Sequence, residues 1–171
     1  AMATIGLHKE PAAALAAIKD PPVERTQAAN TLLRRGEGEN VRWAAYNTDY
    51  TGALDSLLAQ LATVKETEEG VTNLQSRPTL ILGAGGAARA IAHALHREGA
   101  LLTISSRTIE RSKKLADELS CRYLEWTARH SVPAAVVVNC TPVGMHPKVD
   151  ESPLHPSFLK PGLVVFDTVY T

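Results

Sequence analysis

At 171 residues, 44% hydrophobic and 21% charged, the chain is long enough for one good core, or one core and a small appendage, and is neither disordered nor fibrous. Its 18 acidic and 18 basic residues leave no net field toward nucleic acid or an anionic membrane, and no stretch reaches the ~20 apolar residues of a membrane span. Cys121 and Cys140 are too few and too far apart for a disulfide framework, so the expectation is a soluble, cytoplasmic protein with a small-molecule substrate and no nucleic-acid or membrane partner.

The chain enters almost directly on Thr4-Ile5 and stops in "GLVVFDTVYT", as a piece of a longer protein would. In "HKEPAAALAAIKD", Pro11 suits a first helical turn, Ala12 to Ile18 are helix formers, and Asp20-Pro21-Pro22 stops the run. Lys9 therefore falls just before a helix. "NTLLRR" and "VRWAAYN" flank the turn "GEGEN" and predict a hairpin. Thr48 or Asp49 then caps a helix through Leu61, with Ala53, Leu54, Leu57, Leu58 and Leu61 as its apolar stripe. Residues 64–77 are polar, charged and aperiodic, a loop or linker.

Beyond that stretch the pattern alternates. "PTLILGAG" reads as a strand, "GAARAIAHALHREG" as a helix closed by Gly99, "ALLTISSR" as a strand and "IERSKKLADELS" as a helix. "CRYL", "AAVVVN" and "GLVVFD" supply further strands, with a weak helical patch near Trp126. Continuous apolar strands separated by helices predict an α/β domain, a Rossmann-like, doubly wound, mostly parallel sheet covered on both faces.

Gly83, Ala84, Gly85, Gly86, Ala87 and Ala88 lie between that first strand and its helix. A dinucleotide fold needs a first glycine for the tight turn, a second for approach of backbone to the pyrophosphate, and a small third residue for helix-to-strand packing. The helix N-terminus then holds the phosphates. Where an NAD enzyme presents a carboxylate at the end of the next strand, this chain has "SSRTIER". Ser106, Arg107, Thr108 and Arg111 instead suit the 2′-phosphate of NADP, with a solvated helix position the plainer alternative for Arg111.

Other polar residues have plain readings. His93 and His96 form a solvated helix face rather than a metal site, His8, His130, His146 and His155 sit apart, and Trp43 and Trp126 are packing residues. No metal is expected. Asn139-Cys140-Thr141 matches a glycosylation tripeptide but ends an apolar run, where a buried strand end is expected. Taken alone, Lys9 is a surface charge and Asp49 an N-cap; if their elements fold onto one cleft, they form a pair suited to proton transfer.

"HKE", "AANTL", "YNTDYTGAL", "LGAGGAARAI", "SRTIER", "VVNCTPVGM" and "GLVVFDTVYT" together resemble shikimate dehydrogenases in order and approximate spacing, across essentially the whole chain. "NTDYTGA", "GMHPKVDESPL" and "FDTVYT" look most like the plant-type form, in which a dehydroquinate dehydratase is fused ahead of the dehydrogenase. The resemblance implies NADP-dependent, reversible reduction of 3-dehydroshikimate to shikimate in the route to aromatic amino acids. It places the catalytic lysine on Lys9 and the aspartate on Asp49, and substrate binding on Asn30 and Tyr170. Asn139 and Thr141 match the turn over the cofactor; their plainer role is to cap a strand end.

Two departures stand out. The family's typical "VTIPHKE" has threonine four residues before the lysine and proline two before, whereas Ile5 and Leu7 stand there and Thr4 is one residue further away. A one-residue slip on a strand reverses the face a side chain takes, so Thr4 is left out of the site. The resemblance also implies that much of the substrate domain, with its serine pair, and a closing segment with a glutamine fall outside this sequence. The expected organisation is a remnant of a second, substrate-binding α/β domain at 1–47, a connecting helix at 48–63, the linker at 64–77 and the NADP-binding domain at 78–171. An NADP-binding module without turnover, or a quinate dehydrogenase of the same fold, are the alternatives.

Overall fold

The computed structural model describes residues 2–4, 9–63 and 73–169. The first part is a four-stranded sheet of order β1-β3-β4-β2, with β1 at Met2–Thr4, β2 at Ile18–Lys19, β3 at Thr31–Arg35 and β4 at Arg42–Tyr46. The predicted hairpin is present: β3 and β4 pair antiparallel from Thr31↔Tyr46 to Arg35↔Arg42 around a turn in which Gly36 has φ +85°. Helix α1 (Lys9–Leu15) and helix α2 (Pro21–Thr26) pack on this sheet through small side chains, Ala12, Ala13, Ala16, Val23, Ala29 and Ala45.

Two expectations here are corrected. Lys9 opens α1 rather than preceding it, and the helix stops at Leu15 because Ile18–Lys19 pairs parallel with β4. Asp20-Pro21-Pro22 also starts a helix. The Asp20 carboxylate accepts from the Val23 amide at 2.8 Å, and the prolines fill first-turn positions where no amide is needed.

Helix α3 (Thr48–Thr63) leaves the end of β4. Its cap is Asn47, not Thr48 or Asp49: Asn47 Oδ1 accepts from the Tyr50 amide at 3.3 Å, which puts Asp49 in the first turn with its side chain free for other work. The predicted stripe is on the core side, with Leu57 and Leu61 buried. Of the 64–77 stretch, 64–72 lies outside the described residues; within the remainder Leu74 is buried in the main core.

The second sheet is parallel, of order β7-β6-β5-β8-β9. It comprises β5 (Pro78–Leu82), β6 (Leu101–Ser106), β7 (Arg122–Glu125), β8 (Val136–Asn139) and β9 (Val164–Asp167). Helices α4 (Gly86–Arg97) and α5 (Ile109–Glu118) follow β5 and β6. Alternation along the strands divides the core: Ile81, Val136 and Val138 join Leu57, Leu61, Ile91, Leu95 and Leu115 on one face. Leu80, Leu82 and Val137 meet Val132, Leu154, Trp126 and Phe158 on the other. Each such aliphatic side chain contributes about 1.5–3 kcal/mol by leaving water.

From β5 the chain first moves through α4 to β6 and β7, then returns to β8 and β9 on the opposite side. The strand order therefore reverses between β5 and β8. In doubly wound sheets the crevice beyond the carboxyl ends of the strands at such a reversal is where ligands bind.

Candidate active site

Lys9 on α1, Asn30 just before β3 and Asp49 on α3 meet at that crevice. The Lys9 ammonium is paired with Asp49 Oδ2, the two side chains being 12% and 30% exposed. Asn30 Nδ2 donates to Asp49 Oδ1 at 2.8 Å and to Thr48 Oγ1 at 2.8 Å, while Asn30 Oδ1 accepts from the Thr48 amide at 3.0 Å. Both carboxylate oxygens thus have a donor. Bonds to the backbone of Ala28 and Ala29 fix the set: the Ala29 amide donates to the Lys9 carbonyl at 2.8 Å, and Asn47 Nδ2 donates to the Ala28 carbonyl at 2.8 Å. Such an arrangement holds a protonated amine at a cleft edge beside an amide able to bind hydroxyls.

The glycine turn packs directly against this lysine. Gly83, at the end of β5, has φ +110°, and a Cβ there would meet the Cys140 carbonyl oxygen at 2.9 Å. Only glycine suits it. A Cβ on Gly86 would lie 2.7–3.1 Å from the Lys9 side-chain carbons. Before Gly85, in contrast, the space is open, and Gly85 heads α4 without a side-chain cap, leaving first-turn amides available to an anion.

Ala84, Gly85 and Gly86 line a cleft of about 390 Å³ together with Lys9, Glu10, Arg89, Arg111 and Lys114. Arg107, Thr108 and Arg111 are exposed at and beyond the end of β6, and neither guanidinium has a hydrogen bond or ion pair with a described residue. Open amides and free cations fit the phosphates of a dinucleotide. Ser106 is different: its buried hydroxyl bonds the Thr108 carbonyl and Ser112 Oγ at 2.8 and 2.7 Å, shaping the β6–α5 turn from inside.

At the end of β8, Asn139 is buried as expected of a strand end and organises the next turn. Its Oδ1 accepts from the Thr141 amide and hydroxyl at 3.0 and 2.7 Å, and its Nδ2 donates to Asp167 Oδ1 at 3.0 Å. Burial pushes the neighbouring Cys140 thiol up to about 12, with Lys9 opposing and Asp49 and Asp167 reinforcing the shift. A neutral thiol makes Cys140 a wall of the site rather than a nucleophile. Tyr170 lies outside the described residues.

Sequence reasoning missed Arg89 and Glu118. Arg89 Nε donates to the Thr26 carbonyl, and its guanidinium pairs with Glu118 at 2.6 Å. His93 Nε2 shares that carboxylate at 2.8 Å, so His93 is packed, not on a solvated face. His130 and His155, expected apart, also meet: the His155 amide donates to His130 Nε2 at 3.0 Å. Trp126 stacks under Arg129 at 4.3 Å, whereas Trp43 is 38% exposed. The only signals in the sequence were a charged residue inside an apolar helix run and an i, i+4 step from Arg89 to His93.

Burial lowers the His93 pKa from 6.5, aided by the charges of Arg89 and His96 and opposed by Glu118. The unfolded chain therefore takes up a proton that the folded chain resists, and stability falls as pH drops below 6.5. His93→Gln is expected to flatten that fall in urea melts from about pH 7 to about pH 5, leaving the contribution of His130, which burial also lowers. An unchanged slope would contradict it.

Fold and site together define a Rossmann-like α/β protein with an ammonium–carboxylate pair against its glycine turn. Residues 65–142 match the family model described as Shikimate / quinate 5-dehydrogenase. A shikimate dehydrogenase (NADP(+)) of Syntrophobacter fumaroxidans is 40% identical over 167 residues, 95% of this chain and 53% of the relative. The chloroplastic bifunctional 3-dehydroquinate dehydratase/shikimate dehydrogenase of Arabidopsis thaliana is 33% identical over 170 residues, 96% of this chain and 28% of the relative. The Thermus thermophilus shikimate 5-dehydrogenase, solved with NADP(H) and shikimate, superposes with TM-score 0.76 at 31% identity, covering 97% of this chain and 57% of that one. Along most of its length the chain is similar to shikimate dehydrogenases, and its central part matches the shikimate/quinate 5-dehydrogenase model. It spans about half the length of the shikimate dehydrogenases it matches. Both likenesses run along nearly the whole chain, and the bacterial relative is more similar than the plant one. No described helix is long and apolar enough to cross a membrane.

Proposed function

We propose that the chain carries the proton-transfer edge and the NADP site of a shikimate dehydrogenase, which reversibly reduces 3-dehydroshikimate to shikimate in aromatic amino acid biosynthesis. The observation that carries this reading is the meeting of Lys9, Asp49 and Asn30 against Gly86. NADPH, when bound, supplies the hydride. Gly85, Gly86 and Ala87, at the start of α4, would hold its pyrophosphate and Arg107, Thr108 and Arg111 its 2′-phosphate, and Asn139 and Thr141 would border it. The Lys9 ammonium donates a proton to the ketone oxygen as it becomes an alcohol, and the neutral amine takes that proton back in the oxidative direction. Asp49 holds the ammonium in place and, with Asn30, orients the substrate hydroxyls; Tyr170 joins them on the substrate carboxylate. In this reading residues 1–47 form the substrate side, 48–63 the connecting helix, 64–77 the linker and 78–171 the nucleotide domain. The setting is the cytoplasm, and fusion to a dehydratase, as in the plant relative, is compatible with it.

Titration with NADP⁺ and NAD⁺ tests the cofactor, and shikimate-dependent reduction of NADP⁺ tests the reaction. The chain is expected to bind NADP⁺ at least about tenfold tighter, with Arg107→Ala combined with Arg111→Ala removing the difference. Equal affinities would overturn the 2′-phosphate assignment. Because the chain spans about half of its relatives, NADP⁺ binding without turnover would support the second reading, a nucleotide-binding module. Quinate oxidised faster than shikimate would move the substrate within the same family.

A further inference from the structure

We propose that Arg89, clamped by Glu118, is a positioning residue that sets the Lys9–Asp49–Asn30 cluster against the glycine turn, an inference that rests on the function proposed above. Arg89 stands on α4, with its amide bonded to the Gly85 carbonyl at 2.8 Å, so its backbone is part of the turn that receives the cofactor. Its side chain leaves that domain. Nε donates to the carbonyl of Thr26, the last residue of α2, while the far end of the guanidinium is held by Glu118 at the end of α5.

Thr26 begins the segment to which every member of the cluster is tied. One residue on, Gln27 turns the chain with φ 49°, and Ala28 and Ala29 follow fully buried. The Ala29 amide holds the Lys9 carbonyl, and the Ala28 carbonyl holds Asn47, which caps the helix that carries Asp49. Asn30 ends the segment and grips Asp49 directly. A shift at Thr26 thus moves three residues as a unit relative to the cofactor turn.

The chemistry of arginine explains its use here. A planar fork engages a carbonyl through Nε and a carboxylate through its terminal nitrogen at once, and both bonds are only partly open to water, with side chains 16% and 29% exposed. Lysine has one nitrogen and cannot span both. Although Arg89 borders the cleft, these two engagements distinguish it from Arg107 and Arg111, whose guanidinium groups have no partner among the described residues.

The test compares Arg89→Lys and Glu118→Gln with the unaltered chain in three measurements: NADP⁺ affinity, kcat and KM for shikimate oxidation, and the rate at which Lys9 is acetylated by acetic anhydride, mapped by peptide mass. Glu118 does not line the cleft, so its variant loosens Arg89 without removing a cleft residue. Both variants are expected to raise Lys9 acetylation several-fold and lower kcat about tenfold, with NADP⁺ affinity within about twofold. Unchanged Lys9 acetylation in both would overturn the proposal, and so would a loss confined to NADP⁺ affinity, which would make Arg89 a phosphate ligand. Faster acetylation in a chain that oxidises no shikimate would count against the proposed reaction while upholding the positioning role.

Discussion

Replacing Lys9 with methionine is expected to lower the shikimate oxidation rate about a thousandfold while NADP⁺ affinity stays within about twofold. Methionine keeps an unbranched apolar stem against Gly86, so the glycine turn retains its neighbour. What disappears is the ammonium. Asp49 loses its cation but not its position, because Asn30 still donates to Oδ1 at 2.8 Å and the α3 cap rests on Asn47. With Asp49 30% exposed, water reaches the orphaned carboxylate, and the stability loss stays below the roughly 3–5 kcal/mol of a broken buried pair. Steady-state kinetics, cofactor titration and a urea melt on the same preparation separate these effects. Retained turnover would remove Lys9 from proton transfer, and a large loss of NADP⁺ affinity would place it among the cofactor ligands instead.

The features that were legible in the sequence are local in the chain. From Pro78 to Glu118 the strand-turn-helix alternation, Gly83 and Gly85, and the closing Gly99 each act over a few residues, and the elements follow almost as read. The hairpin was legible for the same reason, since "GEGEN" is both a turn and a break in the β-compatible runs. Errors arose where a residue has two local meanings and a distant partner chooses between them. Asp20-Pro21-Pro22 can end one helix or begin the next; here the run is cut at Leu15 by pairing of Ile18–Lys19 with β4, so the prolines begin a helix. Thr48 and Asp49 are capable caps, but Asn47 is buried at the end of β4 and reaches both Ala28 and Tyr50.

The site divides in the same way. Arg107 and Arg111 were proposed from the sequence because an absent carboxylate after the second strand has a direct chemical meaning. Arg89 and Glu118 were not, because their sense depends on a carbonyl 63 residues from the arginine and a carboxylate 29 residues from it. Lys9 and Asp49, 40 residues apart, lay between these cases: spacing alone left them as surface charge and helix cap. Only the ordered family motifs pointed to their meeting, and the fold brings it about through the backbone bonds of Ala28 and Ala29.

Gly86→Ala is expected to cut kcat by about a hundredfold with little loss of folding stability. Gly86 is the first residue of α4 and has no left-handed φ, so alanine is conformationally allowed and gains up to about 1 kcal/mol of helix preference. The added methyl, however, would lie 2.7 Å from Lys9 Cδ, 2.9 Å from its Cβ and 3.1 Å from its Cγ. Because Cβ is fixed to the backbone of α1, the lysine cannot escape by swinging its tip alone; α1 or α4 must give by a few tenths of an ångström, at about 1–3 kcal/mol. The two stability terms largely offset, whereas displacement of the ammonium does not cancel. The open space before Gly85 is untouched, so NADP⁺ affinity is expected to change by less than about threefold. Thermal melts, cofactor titration and initial rates on Gly86→Ala, beside Lys9→Met, decide the matter. If Lys9 is the proton donor, the double variant is no slower than Lys9→Met, since a methyl that acts only by moving an ammonium has nothing left to move. Additive losses would mean that the methyl at Gly86 disturbs the bound cofactor independently of Lys9, and would break the mechanical link between the glycine turn and the acid.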